Sequence, residues 1–459
     1  MQTYILRRLL LMIPTLLGIT VVVFTVMAAS PGGISAQSLI EGQSLEPQAK
    51  KALEDYYNRL YGLDSPPPVQ YLRWLNNVSP IGFTITEDNT LGEFRLLKAP
   101  DLGRSFLYGR PVLELLGERV PITVLLNVLS LPLIYGIAIA VGVRAATRRG
   151  RPYDTGSSLI MLGLWSVPSM LTGVLLIGFF ASDQWWHWFP TAGLSERAAL
   201  DMPFMPHWSS LGDALAAFVG LAVGVAAAVL LAVTRWQPGR RWLSAALGVV
   251  LGAWMATALP DPSLATQLIW AGVIGALGWG LGQLEPTPLR VALLATVGAV
   301  LGGLLAGALT EGDWTRGFLL DRLWHVILPV ICLAYAGFAF LSKLTRSAVL
   351  ENLLSDYART ARAKGLAEQT VLWRHVFRNS LLPLITVSAT LLPSLLAGSV
   401  IVESIFSIDG MGQLAVEAVK GRDRELVLSV TLLSGLLTLI GYLIADIGYA
   451  LADPRVSYD

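Results

Sequence analysis

Charge is what this sequence has least of. Asp, Glu, Lys and Arg make up 14% of its 459 residues, where a soluble domain carries roughly 25%. That deficit excludes an ordinary water-soluble globule. The net charge of +1 excludes a global field that would draw nucleic acid or acidic partners. Cys332 is the single cysteine, so no internal disulfide can form. The four histidines, His187, His207, His325 and His375, stand at spacings that fit no metal motif. No metal and no cofactor is expected. No Gly-x-x-x-x-Gly-Lys-Ser/Thr loop occurs, and no lysine follows a glycine. A phosphate-loop nucleotide hydrolase is therefore excluded.

What fills the chain is apolar: 54% of it is hydrophobic. With Asp, Glu, Lys and Arg as punctuation, ten long uncharged runs emerge, at 9–40, 120–143, 155–182, 214–234, 242–260, 262–284, 291–310, 323–342, 379–402 and 426–445. Each approximates the roughly 20 residues a helix needs to cross a hydrocarbon core of about 30 Å. Ten such runs predict an all-α polytopic membrane protein embedded in a lipid bilayer. Pro132, Pro168 and Pro393 fall inside runs, but prolines are ordinary in membrane helices.

With the N-terminus inside and ten crossings, basic residues collect on the inner side. Arg144, Arg148, Arg149 and Arg151 crowd one inner loop, and Arg235, Arg240 and Arg241 another, whereas the outer loop 183–213 carries Arg197 alone. This is the positive-inside bias. Both termini are then cytoplasmic. Arg7 and Arg8 before an apolar run, with Ala28-Ala29-Ser30 after it, also suit a secretory signal. The run exceeds a usual signal core, so an uncleaved first helix is expected.

Segment 41–119 is external. Leu53, Tyr56, Tyr57 and Leu60 stand at helical spacing, and Ser65-Pro66-Pro67-Pro68 stops that helix. Residues 69–75, with Tyr71, Trp74 and Leu75, either lie along the membrane interface or pack on other external loops. Residues 76–100 read as an irregular insertion.

The inner loop 343–378 is far longer than a minimal connection. Ser355 is placed to cap a helix from Asp356 to Lys364, and Gly365 to stop it in the left-handed conformation. A second helix is expected from about Glu368 into the next run, with Leu372/Val376 and Trp373/Phe377 as i, i+4 pairs. Lys343, Arg346, Arg359, Arg362, Lys364, Arg374 and Arg378 make the element basic. On the residues alone, it either meets lipid phosphates or docks a cytoplasmic partner.

The stretch Asp356-Tyr-Ala-Arg-Thr-Ala-Arg-Ala-Lys-Gly365-Leu366 resembles the EAA loop of permeases in ATP-binding-cassette (ABC) importers, and more closely their dipeptide/oligopeptide/nickel branch. Arg374-His375-Val376-Phe377-Arg378-Asn379-Ser380-Leu381-Leu382-Pro383 is similar to that branch too. Where the wider family has Glu-Ala-Ala, this chain has Arg359-Thr360-Ala361. Where it has Ile-x-Leu-Pro, His375-Val376-Phe377-Arg378 stand here. Further segments agree in order: Tyr4 to Leu9, Asp101-Leu102-Gly103-Arg104-Ser105, Gly109 to Val112, Ser166-Val167-Pro168-Ser169, Phe189 to Gly193, Val402-Glu403-Ser404-Ile405-Phe406, Gly410-Met411-Gly412, and Leu451 to Arg455.

The resemblance implies a type I importer core of six helices in the cell inner membrane. It implies a non-enzymatic subunit that forms half of a path for peptides or similar small solutes. Its partners would be a second homologous permease, two cytoplasmic ABC ATPases and an external substrate-binding protein. The docking residues carried over are Asp356, Tyr357, Arg359, Thr360, Ala361, Arg362, Lys364, Gly365, Leu366 and Leu372. The path-lining residues are not assigned.

Ten runs exceed a six-helix core by four. The resulting layout is a first helix in 1–40, an external segment 41–119, core helices in 120–182, an external loop 183–213, an inserted four-helix bundle 214–310, and the remaining core in 323–459 with its loop 343–378. An even insertion keeps that loop inside. Gly220/Gly224, Gly248/Gly252, Gly278/Gly282, Gly298/Gly302 and Gly303/Gly307 predict close helix packing in the insert. The alternative function is an ion-gradient-driven secondary transporter, which needs acidic or basic residues near mid-membrane or broken helices in paired repeats; the ten runs contain no Asp, Glu, Lys or Arg, and no inverted repeat is evident. A membrane enzyme needs clustered acids or histidines at one face. The nearest candidate, Trp185-Trp186-His187-Trp188, reads as an interfacial aromatic belt.

Overall fold

In lipid each backbone polar group must find its partner within the chain, so the apolar runs become helices. A computed structural model describes residues 2–30, 47–61, 63–85, 91–208, 210–257, 263–284, 287–309 and 314–452. The tail of the first run after Ser30, and Asp453-Pro454-Arg455, lie outside these residues. The N-terminal elements are α1 (Gln2–Ala29), α2 (Pro47–Tyr61), α3 (Pro67–Val78), β1 (Gly82–Ile85) and β2 (Leu91–Arg95). Then come α4 (Val112–Thr147), α5 (Pro152–Ser166), α6 (Ser169–Phe180) and β3 (His207–Trp208). Four helices follow, α7 (Leu211–Val233), α8 (Gln237–Thr257), α9 (Leu264–Gly282) and α10 (Thr287–Leu309), and then β4 (Trp314–Thr315). The chain continues through α11 (Gly317–Leu353), α12 (Asp356–Ala363), α13 (Glu368–Thr370) with a π-helical stretch Val371–Val376, α14 (Phe377–Ile405), α15 (Met411–Lys420) and α16 (Arg424–Ala452). Each charge-free run coincides with one helix or, at 155–182, with the pair α5–α6. Six of the described helices are long and apolar enough to cross a membrane alone, and counting that bent pair as one span gives seven.

Two compact units divide the chain. One comprises Met1–Val128, Leu381–Ser404 and Ile408–Asp459. In it the triple proline ends one helix and starts the next, with Pro67 in the first turn of α3. Trp74 is 3% exposed and packs with Phe24 of α1 and Leu428 of α16, while the Tyr71 and Thr20 hydroxyls meet at 2.9 Å. Residues 69–75 thus pack on the long helices α1 and α16, not on other external loops. Residues 76–100, expected to be irregular, contain the antiparallel hairpin β1–β2, with Gly82 opposite Arg95 and Phe83 opposite Phe94. Phe83 and Phe94 meet edge to face at 5.3 Å, an aromatic cross-strand pair that stabilises such a ladder.

The motif residues of this unit are hydrogen-bonding staples. Ser105 Oγ donates to Asp423 Oδ2 at 2.5 Å, and Leu107 N to the same oxygen at 3.1 Å. Asp423 Oδ1 accepts from Leu426 N at 3.1 Å, capping α16. Glu403 is fully buried. It accepts from Thr123 Oγ1 at 2.7 Å and Gln413 N at 3.0 Å, and Met411 N donates to Thr123 Oγ1 at 2.8 Å. A side chain at Gly410 or Gly412 would strike the Glu403 carboxylate.

The second unit comprises Leu129–Ser380 and Ile405–Ser407. The third run, expected as one span, is broken: α5 and α6 meet at 98°. Pro168 has no N–H and disfavours helix at Val167, so the α5 ladder stops there. The carbonyl freed at the break is satisfied by α11, where Tyr335 Oη donates to Val167 O at 2.6 Å; Cys332 Sγ of α11 also lies 3.5 Å from Ser169 O in the first turn of α6. The pair tracks α11 from end to end. Asp154 meets Arg346 at 2.5 and 2.8 Å, and beyond the break Trp188 O accepts from Trp324 Nε1 at 2.7 Å. From Arg346 to Trp324, α11 advances about 33 Å, enough to cross the hydrocarbon core. The broken pair and the loop after it thus run alongside α11 over that length. Pro132 leaves α4 continuous; the surroundings of Pro393 lie outside the described residues.

The four extra helices pair as α8 with α9 and α7 with α10. Glycines make the approach possible. A methyl group at Gly224 would strike Gly298 O, at Gly302 Gly220 O, at Gly248 Ile274 O and at Gly278 Ser244 O. Gly303 faces open space, and the surroundings of Gly307 lie outside the described residues. The chain enters and leaves this bundle at one place, since β3 and β4 pair with His207 opposite Thr315 and Trp208 opposite Trp314.

Candidate docking surface

Loop 343–378 lies within the second unit. The chain turns tightly out of α11, with Leu354 N bonded to Glu351 O at 3.2 Å and Ser355 N to Asn352 O at 3.3 Å. Ser355 has the extended backbone of an N-cap, φ −71° and ψ 157°. Its hydroxyl nevertheless turns back to Asn352 O at 2.6 Å and makes no bond to the helix it precedes. The expected side-chain cap is thus absent, because the turn brings a competing carbonyl to the hydroxyl.

The other end follows the expectation. Gly365 has φ +76°. Its N–H donates to Arg362 O at 2.9 Å, and Leu366 N to Ala361 O at 3.4 Å. These are the two bonds of a Schellman motif, which needs a left-handed residue at this place. Arg362 bridges the turn. Its Nη2 lies 2.8 Å from Glu368 Oε1 and its Nη1 3.3 Å from Leu353 O. The guanidinium hydrogen bond holds the Glu368 carboxyl below the usual carboxylate range, against a weaker opposing effect of burial.

Beneath α12 is a small apolar core. Ala358 and Ala361, one turn apart, are buried with Val143 and Ala146 of α4, Val349 of α11, and Val371 and Val376. The π-helical stretch has a physical use here: its wider turn puts residues five apart on one face, and Val371 and Val376 are both 0% exposed. Trp373 and Phe377 meet edge to face at 5.1 Å. A polar line ties α12 to both long helices. Tyr357 Oη donates to Asn352 Oδ1, Asn352 Nδ2 reaches Ser380 Oγ at 3.1 Å, and Ser380 Oγ donates to Val376 O at 2.9 Å.

Asp356, Tyr357, Arg359, Thr360, Lys364, Gly365 and Leu366 are therefore exposed together. Arg359 touches Asp356 at 3.4 Å, with both side chains largely in water. Arg362 is exposed, but its guanidinium is engaged within the loop. Ala361 is buried and Leu372 half-buried in the core below. Asn352 and Asp154 escaped the sequence reading, and Ser380 entered it only as part of a quoted motif, with no role of its own. Asp154 counted only as punctuation, and a lone Asn or Ser carries no pattern. The arrangement is a short, polar-faced helix fixed rigidly to α4, α11 and α14.

The profile of the family described as binding-protein-dependent transport system inner membrane component matches residues 224–458. Its N-terminal counterpart matches residues 1–127. Among similar proteins, the oligopeptide transport system permease protein AppB of Bacillus subtilis is 29% identical, with both chains covered over 100% of their length. The di/tripeptide transport system permease protein DppB of Pseudomonas aeruginosa is 26% identical, over 100% of this chain and 99% of that protein. The peptidoglycan transport system permease protein YejB of Agrobacterium fabrum is 25% identical, with the same coverage.

Proposed function

We propose, because this chain belongs to the family of binding-protein-dependent transport system inner membrane components, that it forms half of an import path for peptides or similar small solutes. It works with a second permease subunit, two cytoplasmic ABC ATPases and an external substrate-binding protein. The relatives named for oligopeptide and di/tripeptide transport support the substrate class. Residues 214–310 are an accessory bundle on a six-helix core, and both termini are cytoplasmic.

The observation that carries the docking role is the seating of α12. Its outer face is open, and its inner face is fixed to three long helices by buried alanines and valines. A partner that grips Tyr357, Arg359 and Lys364 therefore moves α11 and α14 with it. The alanines hold the helix, and the polar face reads the partner.

The test is co-purification and uptake with the ATPases and binding protein of the same system. Cysteines placed at Tyr357 and Arg359 are expected to cross-link to an ATPase subunit. A cysteine at Leu97, which is 85% exposed in the external segment, is expected not to. The docking role is overturned if neither loop cysteine cross-links, or if the cysteine at Leu97 cross-links as they do.

A further inference from the structure

The accessory bundle encloses a cavity of about 330 Å³ between the pairs α7/α10 and α8/α9. Every helix lines it over two turns: Gly224 to Leu231 on α7, Ser244 to Leu251 on α8, Ile274 to Leu281 on α9 and Leu294 to Leu301 on α10. Ser244 is the one polar lining residue, and its hydroxyl is already donated to Arg240 O at 2.7 Å. Water has no partner there. An apolar cavity of only about 150 Å³ stays dry and takes an apolar ligand. An empty void would forfeit the dispersion contacts of its whole lining. In a membrane protein the surrounding solvent is hydrocarbon, so the apolar group at hand is a lipid acyl chain. The two helix pairs touch each other far less closely than their members do, which leaves lateral seams for it to enter.

One end of the cavity is cationic. Arg240 stands one turn before Ser244, and Arg290 one turn before Leu294. Both are buried, and they close helix C-termini. Arg240 donates to Gly282 O at 2.7 Å and Thr234 O at 2.9 Å, and Arg290 to Ala232 O at 2.8 Å and Leu284 O at 2.6 Å. Arg241 is half-buried, its Nε has no hydrogen-bond partner among the described residues, and its Nη2 reaches Gln237 Oε1 only at 3.4 Å. Arg235 is exposed beside them. Among the described residues none of Arg235, Arg240 and Arg241 forms an ion pair with an acid. Basic pockets between helices on the cytoplasmic side suit anionic headgroups.

We propose that this bundle binds an anionic phospholipid, with one acyl chain in the cavity and its phosphate at Arg235, Arg240 and Arg241. The lipid completes the bundle core and ties it to the inner leaflet.

Native mass spectrometry of the full chain in detergent tests this, with phosphatidylglycerol and phosphatidylcholine of identical acyl chains as probes. One phosphatidylglycerol per chain is expected to remain bound, preferred on the order of tenfold over phosphatidylcholine. Leu277→Trp, which fills the cavity, is expected to release both lipids. The milder Leu247→Phe serves the same purpose should the first variant misfold. Arg235→Gln with Arg241→Gln is expected to keep lipid binding and erase the headgroup preference. The proposal is overturned if the wild type retains no lipid, if it binds both lipids alike, or if a folded cavity-filling variant retains phosphatidylglycerol as the wild type does.

Discussion

Gly365 carries the left-handed backbone that ends α12, with φ +76° and open space where a side chain would point. The strain of a substitution there is conformational, about 1–2 kcal/mol for a residue with a Cβ. Gly365→Val is expected to leave the protein in the membrane but to abolish most ATP-dependent uptake in proteoliposomes. Gly365→Asn, which tolerates this region, is expected to retain most of it. Full uptake by Gly365→Val would show that the turn does not position α12. Glu368 gives a prediction with a sign. Its folded carboxyl titrates below the unfolded one because Arg362 donates to it. The pair's contribution is therefore complete above the ordinary carboxylate value and fades only as pH falls through the lowered one. Both side chains are more than a third exposed, so screening limits the pair to under about 1 kcal/mol. Glu368→Gln is expected to lower the melting temperature by at most about 2 °C, equally at pH 6 and pH 8. A larger fall at pH 8 than at pH 6 would contradict the assignment. Gly365 was legible in the sequence because a glycine after a basic helix end has a local reason to be there. Ser355 misled because its competing carbonyl belongs to a turn that no spacing reveals.

At the scale of elements, helix contact in the accessory bundle is decided by which glycines face a backbone. Gly224 and Gly303 lie on neighbouring helices and make opposite predictions. Gly224→Leu would drive a side chain into Gly298 O and is expected to destabilise the bundle by about 1–3 kcal/mol. Gly303→Leu, facing open space, is expected to be nearly neutral. Thermal unfolding of the detergent-solubilised protein, followed by size exclusion, distinguishes them. Equal behaviour would mean that α7 and α10 do not pair face to face. The broken span shows where element reading ran short. Length and apolarity marked 155–182 as one uncharged run. They did not reveal the 98° bend, because proline is tolerated in membrane helices wherever a neighbour satisfies the freed carbonyls. Here Tyr335 on α11 supplies that service at Val167 O.

For the molecule as a whole, the pairing of β3 with β4 brings the ends of the four-helix bundle together. A unit whose ends are adjacent can be removed with little disturbance to the rest of the chain. Replacing residues 211–312 by a short Gly-Ser turn between β3 and β4 is expected to leave a core that inserts, co-purifies with an ATPase and transports. A stability loss is expected with it, since Trp270 of α9 packs on Trp186 at 4.2 Å and Arg144 donates to Gln283 O. If the shortened chain neither assembles nor transports, the bundle belongs to the working core.

The sequence by itself determined that the chain is membrane-embedded, where its ten apolar runs lie, and the family of its loop 343–378. Those properties are local. A run must be apolar over its own length to lie in lipid, and a turn must carry its own glycine. The tertiary structure decided what is joined over distance: α7 with α10 across two intervening helices, α5–α6 along the length of α11, Asn352 with Ser380, and Glu403 with Thr123. It also distinguished among the loop's basic residues Arg362, engaged within the loop, from Arg359 and Lys364, exposed on its outer face. Residues of one type and similar spacing were separated in this way because a hydrogen bond depends on where the backbone brings two groups, and that place lies outside either residue's own stretch of sequence.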